Sequence, residues 1–158
     1  MPSLVPTPSD DPIAARLLED YFTSRALGFT SRPGGYRVTQ PDPAWFTPPR
    51  GVFLVLCDDA GEPVGCGGIR RVDDVDARTS YEVKHLWIAE SARGRGWSRL
   101  LMAELERRAR ELGAEQLVLD TNASLVAAAA LYRSLGYAEI PAYNDNPNAT
   151  TWMGKRLS

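Results

Sequence analysis

Histidine and cysteine are scarce in this chain: one histidine, His85, and two cysteines, Cys57 and Cys66. No His/Cys spacing of metal-ligand type can be built from them, so no metal is expected. They also offer no convincing Cys–His nucleophile pair. Both cysteines lie in strand-like apolar runs and read as buried thiols rather than a disulfide or redox pair, because free cysteine commonly packs as a small core hydrophobe. An excess of one charge is missing too. Eighteen Lys and Arg face twenty Asp and Glu, for a formal net charge of -2. No global field draws the chain to nucleic acid or to an anionic membrane. No apolar run approaches the roughly 20 residues of a membrane span, and Met1-Pro2-Ser3-Leu4-Val5-Pro6 has no secretion-signal pattern. A cytoplasmic location is the expectation.

Apolar residues make up 44% of the 158, with four tryptophans, which fits a globular protein and not a disordered one. The length suits one domain. Residues 1–9, rich in Pro and Ser, read as a flexible N-terminal tail, and 10–158 as a single domain. A helix is expected from Pro12, capped by Asp10 or Asp11, with Ile13, Leu17, Leu18, Tyr21 and Phe22 on one face. It should end near Leu27-Gly28. Residues 30–50 are loop-rich, with a short strand over Tyr36-Arg37-Val38. Val52–Cys57, Val64–Val72 and Thr79–Ile88, parted by Asp/Gly turns, predict a three-stranded antiparallel meander.

The pattern then changes. Ser98–Leu112 has Leu100, Leu101, Leu105, Ala109 and Leu112 on one face, with Glu104/Arg108 and Glu106/Arg110 four apart on the other. Gln116–Thr121 reads as a strand. Ser124 can cap a second helix ending at Gly136, and 137–140 and 150–155 close the sheet. The whole predicts an α/β (α+β) mixed sheet, a meander followed by β-α-β-α-β, with helices on both faces.

One segment carries chemistry. Arg93-Gly94-Arg95-Gly96-Trp97-Ser98 follows a strand and opens an amphipathic helix. The first amides of a helix lack intrahelical partners and sit at the positive end of its dipole. Two glycines allow close approach of a ligand to backbone. Two arginines at the unfavourable end of a dipole need an anion to explain them, and a phosphate fits. The segment is neither a Walker loop nor a dinucleotide fingerprint, since no Gly-Lys-Ser/Thr follows and Arg99 stands where a third glycine would be. A solvated basic helix start is the plainer alternative.

Arg93–Ser98 resembles the Arg/Gln-x-x-Gly-x-Gly/Ala signature of GNAT N-acetyltransferases. His85-Leu86-Trp87-Ile88 is similar to that family's fourth strand, and Leu131-Tyr132-Arg133-Ser134-Leu135-Gly136-Tyr137 to its Leu-Tyr-x-x-x-Gly-Phe segment. Ser98 departs from the usual Gly or Ala. The resemblance implies a GNAT-like fold with a splayed central sheet and acetyl-CoA as acyl-donor cosubstrate. It implies backbone of Leu86, Trp87 and Ile88 along the pantetheine arm, and amides of Arg93, Gly94, Arg95, Gly96, Trp97 and Ser98 on the diphosphate. It further implies Tyr132 as the acid for the departing thiolate. Asn122 matches a position that often touches the cosubstrate, with a turn or capping role as the alternative.

The base is open between Glu82 and His85. Glu82 stands six residues before Ile88, a spacing similar to the strand glutamate of the histone-acetyltransferase branch, and a salt bridge with Lys84 is its plainer role. His85 falls on the opposite strand face unless a bulge intervenes, though its pKa suits the task. The expected activity is direct transfer of an acetyl group to a primary amine, an acyltransferase reaction without a covalent enzyme intermediate. A non-catalytic acyl-CoA-binding module and, less favoured, a nucleic-acid binder using Arg93, Arg95, Arg99 and Arg107 are the competing classes. The expected partner is a small-molecule or peptide amine. Glu82, Asp145 and the net charge hint at a cationic one, with Asp145 in the polar loop 143–148 between the last strands. Neither membrane nor nucleic acid is an expected partner. The oligomeric state is open between a monomer and the common homodimer.

Overall fold

The computed structural model describes residues 1–28 and 35–157. Seven strands make one mixed sheet: β1 (Ser3–Pro6), β2 (Gly51–Cys57), β3 (Pro63–Val75), β4 (Arg78–Ile88), β5 (Gln116–Thr121), β6 (Ala138–Glu139) and β7 (Thr151–Arg156). Their spatial order is β1-β2-β3-β4-β5-β7-β6. The helices are α1 (Pro12–Gly28), α2 (Trp97–Glu111) and α3 (Val126–Ser134).

The apolar run of β2 is explained by burial on both faces. Val52, Leu54 and Leu56 join α2 residues Leu101, Met102 and Leu105 in one core. Phe53 and Val55 point the other way, into a second core with Leu17, Leu18 and Phe22 of α1. Helices therefore cover both faces, as the pattern predicts. The meander is antiparallel from β1 to β4. Its last turn lies at Asp76 and Ala77, both with positive φ (54° and 60°). Two successive left-handed residues suit the twist of a tight hairpin, and the strand thus runs beyond the Asp73–Asp76 turn read from sequence.

Several expectations are corrected. Residues 1–9 are not all loose tail: Ser3–Pro6 pair with Leu54–Cys57 as an edge strand, where proline is tolerated because its missing donor can face solvent. Tyr36–Val38 is not a strand. Of the loop-rich stretch 30–50, residues 30–34 lie outside the described residues. Asp11 is the α1 cap, its carboxylate accepting from the Ile13 amide at 2.9 Å. Ile13 and Leu100, expected on core faces, are about half exposed. Glu106, expected on the solvent face with Arg110, is buried and accepts from Lys155 Nζ of β7 at 2.5 Å. It follows Met102 by four residues and so shares that residue's inward face. Ser124 does not cap α3, which starts at Val126 with no side-chain cap.

Candidate active site

The parallel pairing of β4 with β5 has three registers: Ser80↔Gln116, Tyr81↔Leu117 and Glu82↔Val118. Beyond Glu82, β4 continues to Ile88, while β5 stays paired with β7 as far as Thr121↔Thr151. The two central strands therefore part, and a cavity of about 350 Å³ opens there. Val83–Leu86 line one side, Asp120–Asn122 and the α3 residues Ala128 and Tyr132 the other. Aromatic residues of α1 and of the segment 36–46, together with the loop 144–148, complete its lining. The open carboxyl ends of sheet strands are where ligands of α/β folds commonly bind.

A bulge shapes the β4 wall. Cys66 pairs with Trp87 and Gly68 with Lys84, so Gly67 faces both His85 and Leu86. His85 takes up the extra residue at φ 59°. The bulge turns its imidazole into an aromatic box, with ring centres of Tyr21, Phe22 and Phe46 at 5.3, 5.5 and 5.8 Å. Glycine at 68 makes room for that box, since a Cβ there would lie 2.7 Å from the Phe46 ring. Burial, reinforced by Lys84 and Arg70, lowers the His85 pKa to about 3. Its Nδ1 is buried with no partner. His85 thus lines the cavity as a neutral ring.

Glu82 is fully buried. It accepts from Arg70 Nε at 3.0 Å, from the Tyr143 hydroxyl at 2.6 Å and from Asn144 Nδ2 at 3.4 Å. Lys84 Nζ lies 3.7 Å away. Glu82 therefore stands behind the cavity wall, saturated with donors, and ties the loop 143–148 to β4. The salt bridge expected with Lys84 is one part of that set. Burial, and then the Glu82 charge, push the Tyr143 pKa up.

Among the described residues two carboxylates line the cavity: Asp145 of the loop 143–148, and Asp120 of β5, which sequence reasoning missed. Asp120 accepts from Asn144 Nδ2 at 2.8 Å, from Asn146 Nδ2 at 3.0 Å and from Lys84 Nζ at 3.4 Å. The available signal was a lone acid at the carboxyl end of an otherwise apolar strand, next to the point where strands part.

Tyr132 is buried and lines the same cavity. Burial is the main reason its pKa is raised, with a further contribution from Tyr21. Among the described residues its hydroxyl has no hydrogen-bond partner, so it is free to meet a ligand. Asn122 also lines the cavity, but its amide is engaged: Nδ2 donates to the Asn148 carbonyl and Oδ1 accepts from the Ser124 amide, both at 3.0 Å. Its turn role is realised.

Arg93–Gly96 is an exposed loop between a single 3-10 turn, Glu90–Ala92, and α2. Gly94 and Gly96 have φ of 82° and 77°. Gly96 is the N-cap and brings no side chain to the α2 amides, leaving those of Trp97, Ser98 and Arg99 for a ligand. Arg93 Nε donates to the Ile88 carbonyl at 2.9 Å, fastening the loop to the end of β4. The Arg95 guanidinium lies over the Trp97 ring, 5.0 Å from its centre. Arg99 donates to Ser134 Oγ, and Arg107 pairs with Glu104 and Glu111. That occupation leaves little of the continuous basic stripe a nucleic-acid reading requires.

This chain belongs to the acetyltransferase (GNAT) family, whose model matches residues 15–137. It is 30% identical to an uncharacterised N-acetyltransferase of Escherichia coli over 138 residues, covering 85% of this chain and 80% of the relative. To an uncharacterised N-acetyltransferase of Schizosaccharomyces pombe it is 28% identical over 145 residues, 92% and 86% of the two chains. Its fold matches that of a GNAT acetyltransferase from Elizabethkingia anophelis solved with acetyl-CoA bound, at a TM-score of 0.68, 18% identity and coverage of 99% and 98%. No helix among the described residues is long and apolar enough to cross a membrane.

Proposed function

We propose that the chain moves the acetyl group of acetyl-CoA to a primary amine, directly, within a ternary complex. The observation that carries this reading is the opening of β4 from β5 beyond Glu82↔Val118, with Tyr132 lining the cavity there and the uncapped N-terminus of α2 following the end of β4 in the chain. A thioester arm fits an opened strand pair, because the unpaired β4 backbone of Leu86–Ile88 can hydrogen-bond its amides. The diphosphate takes the amides from Arg93 to Ser98.

In this reading the neutral amine attacks the thioester carbonyl. The new N–C bond forms, and the oxyanion is met by β4 backbone N–H near Leu86–Ile88. The amine proton passes to a carboxylate. Asp120, a cavity-wall carboxylate held on β5 where Asp145 is exposed on its loop, takes that role, and Glu82, behind the wall and joined through Asn144 and Lys84, holds Asp120 in place. His85 serves as a neutral wall, since a group whose pKa has fallen to about 3 accepts a proton poorly at neutral pH. Collapse breaks the C–S bond, and Tyr132 protonates the thiolate. The burial that raises the tyrosine pKa also disfavours a free thiolate in the same cavity, so the transfer is not opposed by tyrosine alone.

The test is release of the CoA thiol with a panel of amines, comparing Tyr132→Phe and Asp120→Asn with the parent chain. The reading expects kcat to fall about a hundredfold in each, the usual worth of one acid or base, with acetyl-CoA affinity kept. Unchanged turnover in both variants would sink the assignment and favour a binding module.

A further inference from the structure

The charge on the cavity wall is opposite in sign to that of the whole chain. Four cations line it, Arg25, Arg37, Arg70 and Lys84, against two carboxylates, Asp120 and Asp145. The cations are not equivalent. Arg70 is paired with Glu82 at 3.0 Å, and Lys84 with Asp120 at 3.4 Å. Arg25 and Arg37 have no ion-pair partner among the described residues. The Arg25 guanidinium lies 5.0 Å from the centre of the Tyr21 ring, itself on the cavity wall. Arg37 is fixed through its backbone, whose amide and carbonyl exchange hydrogen bonds with the Asn148 side chain at 3.0 and 2.8 Å. Neither belongs to the Arg93–Ser98 loop to which the diphosphate is assigned above. Arg25, Asp120 and Tyr21 all lie near enough to act electrostatically on the Tyr132 hydroxyl. An unpaired cation, a carboxylate and the acid thus share one small space.

We infer that the acceptor is a free amino acid with a large apolar or aromatic side chain. Its carboxylate meets Arg25 and Arg37, its amine meets Asp120, and its side chain lies against Tyr21, Phe22, Tyr36 and Trp45. Guanidinium groups bind carboxylates through paired, charge-assisted hydrogen bonds. A polyamine or aminoglycoside would instead bring several positive charges against two uncompensated arginines. The cationic acceptor suggested by the chain's net charge is thereby replaced, because local wall charge and not the total governs a closed cavity. The inference rests on the transferase reading above. Its reaction balances as amine plus thioester giving N-acetyl amino acid plus CoA thiol. Asp120 takes the amine proton, Tyr132 protonates the thiolate, and water returns the Asp120 proton to Tyr132.

The experiment compares phenylalanine, phenylalanine amide, phenethylamine and spermidine as acceptors, with acetyl-CoA binding measured separately by calorimetry. Phenylalanine should exceed phenethylamine and the amide by about tenfold or more in kcat/KM, the scale of one hydrogen-bonded charge pair. Arg25→Gln and Arg37→Gln should erase that gap, raising KM for phenylalanine much more than KM for phenethylamine. Equal or better use of phenethylamine, of the amide or of spermidine overturns the inference and leaves the transferase reading standing. Acetyl-CoA bound but transferred to none of the four also overturns it. Failure to bind acetyl-CoA at all overturns the transferase reading itself.

Discussion

Glu82 and Val118 form the last parallel register between β4 and β5, and Tyr132 lies in the space that opens beyond them. Ala128 stands one helical turn before Tyr132 and lines the same space. Ala128→Phe should fill the opening from the α3 side. Because Ala128 is only half-buried, at the margin of the core and on the cavity wall, the fold should tolerate the change. The expected outcome is at least a tenfold loss of acetyl-CoA affinity by calorimetry, with a melting temperature within a few degrees of the parent, the shift expected for well under about 1 kcal/mol. Undiminished binding would mean that acetyl-CoA does not use the opening.

Gly96 sets the entrance to α2 in the left-handed region, and a Cβ there would touch nothing within 4 Å. Gly96→Ala is therefore a test of backbone conformation and not of space. An alanine in that region costs about 1–2 kcal/mol. The loop should relax away from its amide-presenting shape, weakening acetyl-CoA about tenfold. S-acetylpantetheine, which lacks the diphosphate, should be used as well as before. Equal losses on both donors would place the effect elsewhere than the diphosphate.

The contrast between this loop and the rest of the site shows what is legible in a sequence. Arg93–Ser98 is local: its glycines, its arginines and the helix it opens are adjacent in the chain, so their pattern is readable. The meander and the α2 face were readable for the same reason, as alternation and helical spacing. His85 was not, because an inserted residue breaks the period of two and nothing in His85-Leu86-Trp87 marks the bulge. Asp120 was not, because its partners Lys84 of β4 and Asn144 and Asn146 of the loop 143–148 come from two distant segments of the chain. Spacing alone marks Glu82, while the structure gives it three hydrogen-bond donors and the Lys84 ammonium at 3.7 Å, which sequence spacing cannot reveal.

His85 should leave a signature in the acid stability of the fold. Its folded pKa lies near 3 against an ordinary value of 6.5. A pKa lowered by folding means that the unfolded chain binds the proton more readily. The neutral buried ring thus contributes stability above about pH 6.5, and that contribution is lost as pH falls toward about 3. The slope attributable to one such group is at most about 1.4 kcal/mol per pH unit. His85→Asn removes the titration and keeps a residue that tolerates positive φ. Denaturant midpoints between pH 7 and 5 should fall in the parent and stay nearly flat in the variant, whatever the variant's lower starting stability. Parallel curves would show that another group drives the acid loss.

Tyr143 ties the loop 143–148 to the sheet through its hydroxyl, which donates to Glu82 Oε2 at 2.6 Å. Tyr143→Phe keeps the ring and deletes that donor. A buried carboxylate deprived of one hydrogen bond costs about 1–3 kcal/mol, so the unfolding midpoint should drop accordingly. Arg70, Lys84 and Asn144 still compensate Glu82, which keeps the protein folded. The functional effect should be selective. Asn144 donates to Asp120 and accepts from the Trp152 indole at 2.8 Å, so a loosened loop disturbs Asp120, the carboxylate proposed to meet the amine. The Arg93–Ser98 loop, fastened separately by Arg93 to Ile88, should be untouched. KM for the amine should rise several-fold while the acetyl-CoA dissociation constant holds. A matching loss of acetyl-CoA affinity would show that the loop serves both substrates, and the division of the cavity into a donor end and an acceptor end would have to be given up.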